Sequence, residues 1–203
     1  MKIGVLASGS GSNLQTLIDQ LHCDESCKIE ISVVISDRKD AYALTRAKKA
    51  GIPSYVVRVR DFPDRHAFDE RISELLDTHA VELIVLAGFM KLFQPAFVQK
   101  YRNRILNIHP ALLPAFPGAH PVADTLAYGA KVSGVTVHFV DEGMDTGPII
   151  AQESVPVFDG DDEDSLHARL QVEEHKLYPT VIKWYAENRI NFAGRRVIVK
   201  GAD

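Results

Sequence analysis

Short apolar runs at residues 3–7, 29–35, 81–87 and 105–108 constrain the fold more than any other feature of the chain. Runs of this length bounded by turn residues read as strands buried on both faces, which is the pattern of a parallel sheet. Between them lie segments of helical period. Leu14, Leu17, Ile18 and Leu21 form one stripe, and residues 41–50 form a helix stopped by Gly51 and Pro53. Residues 64–78 carry Phe68, Ile72, Leu75 and Leu76 on one face, and Pro95 opens a short helix with Phe97 and Tyr101. A further strand is expected over residues 55–59. Strand–helix alternation of this kind requires parallel strands joined by right-handed crossovers. Beyond residue 112 the character changes. A proline-rich loop leads to a helix over 122–128 closed by Gly129, and strands at 135–140 and 149–157 are close enough in sequence to pair antiparallel. The expected class is therefore α/β: a Rossmann-like open sheet, mostly parallel with an antiparallel C-terminal part, and helices on both faces. A helix from Glu163 places Leu166, Leu170, Leu177, Val181 and Trp184 on one stripe, Pro179 is expected to kink it, and residues 195–200 read as a last edge strand.

With 203 residues the chain is long enough to bury a full core as a single domain. Its net charge of −4 and lack of a basic tail argue against a general nucleic-acid or anionic-membrane binder. No apolar stretch approaches membrane-spanning length, and residues 1–6 turn to Ser and Gly too early for a secretory peptide, so they read as the first strand. Two cysteines in this length point to a reducing, cytoplasmic compartment. His22, Cys23 and Cys27 cluster after the first helix, but structural zinc needs four ligands and no second pair exists, so they read as reduced thiols without metal.

The run Ile105-Leu106-Asn107-Ile108-His109-Pro110 carries the chemistry. Side chains two apart on a strand share a face, so Asn107 and His109 stand side by side. Pro110 has no N–H and must end the ladder, which puts the pair at a carboxyl strand end, where open α/β sheets bind ligands. An amide donor beside an imidazole suits a developing oxyanion. The same residues are also compatible with a satisfied core histidine and a turn-capping asparagine. The loop from 113 to 121, with Pro114, Pro117 and Pro121, is restrained and irregular, of the kind that forms lids.

Ser8-Gly9-Ser10-Gly11-Ser12-Asn13 joins the first strand to the first helix. Free N–H groups and the positive helix end converge there, which makes an anion site. The loop lacks the Gly-Lys-Ser/Thr of a Walker A sequence, and Leu14 takes the place of the third glycine of G-x-G-x-x-G, so one phosphate is favoured over a dinucleotide. A tight turn with Ser12 or Asn13 capping the helix is the alternative. The acidic run at 159–164 fails the EF-hand spacing and reads as a solvated helix start. Glu173 and Glu174 fall on opposite borders of the last helix's apolar stripe, where a carboxylate faces either a cleft or water.

Taken together, the motifs resemble those of phosphoribosylglycinamide formyltransferases. The matching segments are Ser8 to Leu14, Leu86-Ala87-Gly88-Phe89-Met90, Asn107 to Pro114, Val137-His138-Phe139-Val140, Asp145-Thr146-Gly147-Pro148-Ile149-Ile150 and Glu174-His175-Lys176-Leu177-Tyr178-Pro179, in order along nearly the whole chain. The central segment also resembles methionyl-tRNA formyltransferases and formyltetrahydrofolate deformylases, which usually carry an additional domain. The resemblance implies transfer of a formyl group from 10-formyltetrahydrofolate to the amine of 5-phosphoribosylglycinamide, in purine synthesis. It implies one domain over residues 1–203, with a phosphate-binding half to about residue 100 and a folate and catalytic half beyond. By position, Asn107, His109 and Asp145 are the catalytic set. Gly11, Ser12 and Asn13 hold the substrate phosphate, and Gln171 and Glu174 the rest of the substrate. Arg65, Met90, Lys91, Leu92 and Phe93 lie along the folate, as do Asn107, Asp141, Glu142, Gly143, Met144 and Asp145. An Asx-turn or cap role is the alternative for Asp145. No metal is implied, because the formyl donor is already activated. The partners implied are the two small molecules, with no nucleic acid or membrane, and the protein is a monomer or homodimer. Ala111 replaces a usual Ser; Ala115 and residues 121–125 depart from some members, so no lid contact to phosphate is carried over. Hydrolysis by a deformylase, with water replacing the amine, and a non-catalytic nucleotide-binding module are the rival functions.

Overall fold

The structure is a computed structural model that describes residues 1–24, 26 and 28–201. Two compact units divide the chain, Met1–Leu106 and Asn107–Asp203.

In the first unit, strands β1 (Lys2–Leu6), β2 (Glu30–Ser36), β3 (Ser54–Val56) and β4 (Leu83–Leu86) lie in the order β3-β2-β1-β4 with every pair parallel. All four residues of β4 and the last four of β1 are buried, as strands covered on both faces must be. Helices α1 (Ser12–Leu17), α2 (Tyr42–Lys49), α3 (Arg65–Thr78) and α4 (Pro95–Lys100) fall between or after them. Asp64 caps α3 by accepting from the Ala67 N–H at 2.8 Å, and Phe68, Ile72, Leu75 and Leu76 are buried as their spacing requires. Gly4 admits this packing: a Cβ there would stand 2.8 Å from Leu76 Cδ2.

Three local expectations are corrected. The third strand ends at Val56, and Val59–Asp61 is a 3₁₀ turn closed by an Arg58–Asp61 ion pair of 2.6 Å. Tyr55 and Val56 are exposed, so little burial favours extension there. After α1 the chain widens into a π turn, Ile18–His22, which keeps Ile18 and Leu21 buried. Neither Ser12 nor Asn13 caps α1; the cap is Gly11 in the left-handed region (φ 71°) with no side-chain cap bond. His22 Nδ1 accepts from the Ile31 N–H at 3.1 Å, Cys23 is exposed, and Cys27 lies outside the described residues.

Strand β5 (Ile105–His109) begins in the first unit and ends in the second. In the second unit, β6 (Val132–Phe139) and β7 (Ile149–Pro156) are antiparallel, with a register shift between Val137 and His138. Helix α5 (Pro121–Tyr128) closes on Gly129, whose φ is 77°. Helix α6 (Glu163–Ala186) begins with a capping box between Asp162 and Ser165 and runs on through Pro179. Asp161 pairs with Arg169, and that hydrogen bond pulls its carboxyl down to about 2. One lost backbone bond does not end a helix of 24 residues whose apolar face is buried. The final segment is not an edge strand of the main sheet. Gly194 (φ 64°) turns the chain, and β8 (Ile190–Ala193) pairs antiparallel with β9 (Arg196–Val199) as a separate hairpin. Among the described residues no helix is long and apolar enough to cross a membrane.

Gly11 meets two demands at once. Its backbone is left-handed, and a Cβ would stand 2.8 Å from the Cα of Ala43. The strain alone costs an L-residue about 1–2 kcal/mol, and the clash adds to it. Gly11→Ala is therefore expected to lower the thermal midpoint by roughly 4 °C or more, at about 2–4 °C per kcal/mol for a chain of this size. An unchanged midpoint by calorimetry would contradict this account of the turn.

Candidate active site

The second unit brings four polar side chains together. Asn107 and His109 come from the end of β5, His138 from the end of β6, and Asp145 from the loop that joins β6 to β7. His109 and His138 are 4% and 2% exposed, and the Asp145 side chain 13%. His109 Nδ1 is 3.5 Å from one Asp145 oxygen and His138 Nε2 3.7 Å from the other. Both separations exceed a normal hydrogen bond, so the carboxylate acts on both rings through its charge.

Backbone carbonyls set the proton positions. His109 Nε2 lies 2.8 Å from the Phe116 carbonyl, an acceptor, so this nitrogen donates. His138 Nδ1 likewise donates to the Phe139 carbonyl at 2.8 Å. Burial holds the His138 imidazole below the usual histidine range; the Phe139 bond and the Asp145 charge oppose this less strongly. A neutral ring protonated on Nδ1 has a lone pair on Nε2. That lone pair accepts from Asn107 Nδ2 at 3.2 Å. The amide is thereby oriented nitrogen-first, and its second N–H stays available as a donor.

Two loops complete the site. Asp145 sits in the left-handed region (φ 55°), and its carboxylate accepts from the Gly118 N–H at 2.8 Å. Asp141 Oδ1 accepts from the Gly143 N–H and from the Thr146 hydroxyl at 2.6 Å, folding residues 141–146 into an Asx-type turn. Gly147 is obligatory, since a Cβ there would stand 1.7 Å from the Phe139 carbonyl oxygen. The start of the proline-rich loop is pinned as well. Thr136 Oγ1 donates to the Ala111 carbonyl at 2.7 Å and accepts the Leu113 N–H at 3.1 Å, and Gln152 donates to the Leu113 carbonyl. On α6, Glu174 is 6% exposed and Gln171 is half-buried, whereas Glu173 pairs with Lys176.

The first unit holds the remaining predicted positions. Gly11 is buried while Ser12 and Asn13 are half-buried at the start of α1. Arg46 braces this loop by donating to the Ser10 carbonyl and to Gln15 Oε1, both at 2.9 Å. Ser8 Oγ accepts the Met90 N–H at 2.9 Å, and Arg65 donates to the Leu92 carbonyl. Met90 and Leu92 are more than half exposed, Phe93 stacks between Phe89 and Phe97, and Lys91 faces Asp37 at 3.6 Å. Among the described residues no group of three or more His, Cys, Asp or Glu is placed to hold a metal ion.

A family model described as "Formyl transferase" matches residues 1–182. The chain belongs to the formyl transferase family. It is 45% identical over 190 residues to a phosphoribosylglycinamide formyltransferase of Escherichia coli (strain K12), covering 94% of this chain and 89% of that one. Its structure matches the crystal structure of glycinamide ribonucleotide transformylase 1 from Symbiobacterium toebii with a TM-score of 0.94 at 47% identity, covering 98% of this chain and 93% of that one. A formyltetrahydrofolate deformylase from Pseudomonas syringae pv. tomato is more distant: TM-score 0.89, 28% identity, 98% of this chain but 65% of that one.

Within this family member, the predicted catalytic trio does converge, but the sequence reading assigned no role to His138, Phe116, Gly118 or Arg46. His138 left a trace, as a polar residue in a buried apolar strand near its end. The Phe116 carbonyl and Gly118 N–H left none, because any residue supplies them. Removing the Nε2 acceptor frees the Asn107 amide, and one hydrogen bond of about 1 kcal/mol corresponds to about fivefold to tenfold. His138→Leu is therefore expected to reduce turnover by about tenfold with little change in folate KM. Unchanged turnover would remove His138 from the site.

A pH dependence follows from the same ring. The unfolded chain takes up a proton as pH falls through 6.5, whereas buried His138 takes one up only at lower pH. Its linkage term is zero above that pH and destabilises below it. His138→Leu should show a flatter fall in thermal midpoint between pH 7.5 and roughly pH 5 than the unmodified protein. Parallel curves would contradict the assignment.

Proposed function

We propose that this protein transfers the formyl group of 10-formyltetrahydrofolate to the amine of 5-phosphoribosylglycinamide, giving the N-formyl product and tetrahydrofolate in purine synthesis. The observation that carries the reading is the convergence of Asn107, His109 and Asp145 in a chain with phosphoribosylglycinamide formyltransferase relatives of this similarity. The amine nitrogen attacks the formyl carbon and charge builds on its oxygen. The free N–H of Asn107 donates to that oxygen. One such donor is typically worth about 2.7–4 kcal/mol of barrier. His109 already spends its Nε2 proton on Phe116, so the proton it offers to the oxygen or to the departing N10 is on Nδ1. As the C–N10 bond breaks, N10 gains that proton. Asp145 takes the proton lost by the amine, directly or through water.

Binding roles complete the reading. Gly11, Ser12 and Asn13 hold the phosphate, and Gln171 and Glu174 the rest of the substrate. Arg65, Met90, Lys91, Leu92 and Phe93 border the folate in the first unit, and Asp141 to Asp145 border it in the second. The partners are these two small molecules, in a cytoplasmic setting.

Asn107→Ala is expected to lower kcat about 10²–10³-fold, and His109→Ala and Asp145→Asn to lower it severely. A near-normal rate in any of the three removes that residue from the mechanism. Dephosphorylated glycinamide riboside should bind far more weakly than the nucleotide, and equal affinity would contradict the anion-loop assignment. Formate release without an amine acceptor would favour hydrolysis instead.

A further inference from the structure

The C-terminal hairpin, β8–β9, lies beyond the residues that the family model matches. Isolated two-stranded hairpins are marginal in water, and most residues of this one are exposed. Its base is clamped by Arg189, whose guanidinium donates to the Lys200 carbonyl at 2.7 Å and to the Gly201 carbonyl at 2.6 Å. From there the hairpin reaches back to the loop that carries Asp145. The Phe192 ring lies 5.0 Å from that of Phe139, the last residue of β6. At the tip, the Arg195 guanidinium donates to the carbonyl of Thr146, the residue that follows Asp145.

We infer that Arg195 is a positioning residue for Asp145: the hairpin tip fixes the 146–147 peptide and so holds the carboxylate between the two imidazoles. The Thr146 carbonyl is anchored by a charged donor, and the backbone at Gly147 runs so close to Phe139 that a Cβ there would stand 1.7 Å from the Phe139 carbonyl oxygen. With both ends of this peptide located, the left-handed backbone of Asp145 is closed from its C-terminal side. Gly118 holds the carboxylate itself at 2.8 Å. Arg195 touches no reacting atom on this account. Small errors in carboxylate position matter because rate depends steeply on alignment. The inference rests on the formyl-transfer reading for its kinetic consequence, but not for the tether.

The experiment compares Arg195→Ala, Arg195→Lys and Arg196→Ala with the unmodified chain. Arg196 is an exposed arginine on the same hairpin, so its variant controls for charge. Amide hydrogen exchange in residues 141–148 should rise several-fold in Arg195→Ala, with other segments of the protein unchanged. Its kcat should fall about 3- to 10-fold while both KM values stay within about twofold. Lysine supplies one donor to one carbonyl, so Arg195→Lys should recover most of both readouts, and Arg196→Ala should match the unmodified protein. Unchanged exchange in Arg195→Ala overturns the tether. Raised exchange with unchanged kcat overturns the positioning role, and so does an equal kcat loss in Arg196→Ala. Absence of formyl transfer in the unmodified protein would defeat the functional reading instead, and the exchange comparison would still decide whether Arg195 holds the loop.

Discussion

A carboxylate held between two imidazoles in a nearly dry setting organises the second unit. Asp145 cannot reach that position on an ordinary backbone. It occupies the left-handed region, which aspartate tolerates better than most residues, and is kept there by its neighbours. Asp141 folds the loop on itself, Gly147 allows the chain to pass under the Phe139 carbonyl, and Gly118 donates to the carboxylate from the proline-rich loop. The sheet contributes the other half. Antiparallel β6 ends its pairing with a register shift at His138, just where that ring must meet Asn107.

The two histidines flank the same carboxylate yet are suited to different work. His138 is neutral, protonated toward its own strand, and uses its remaining lone pair on an amide. His109 gives one proton to the Phe116 carbonyl and turns its other nitrogen toward Asp145. Environment sets the two rings apart: each donates one N–H to a different backbone carbonyl, which leaves His138 with Nε2 toward Asn107 and His109 with Nδ1 toward Asp145. Fold alone would not decide the reaction, because a deformylase shares this architecture. The formyltransferase relatives stand nearer in sequence, at 45–47% identity against 28% for that deformylase.

Periodicity made much of this legible. The buried strands β1, β2 and β4, the capped face of α3 and the antiparallel β6–β7 pair all follow from apolar spacing. Pro110 located the strand end that holds Asn107 and His109. Features set by non-periodic chain were out of reach. The π turn after α1 keeps the same residues buried as an α-helix would, so spacing cannot separate the two. Gly11 took the cap role because the turn needed a positive φ, a constraint set by contact with Ala43. Residues 190–193 are mostly exposed, and without a buried face β8 left no alternation to read. The partners of His109 and Asp145 on the proline-rich loop are main-chain atoms, which carry no sequence signature at all.

The tautomer of His138 tests the account most directly, since the aim of the Asn107 amide depends on it. Nitrogen-15 NMR of histidine-labelled protein at neutral pH reads this ring. The account predicts a neutral imidazole with its proton on Nδ1 and an unprotonated, hydrogen-bond-accepting Nε2. A proton on Nε2 would point the ring's donor at Asn107, require the amide to turn its oxygen toward His138, and contradict the proposed aim of the Asn107 amide.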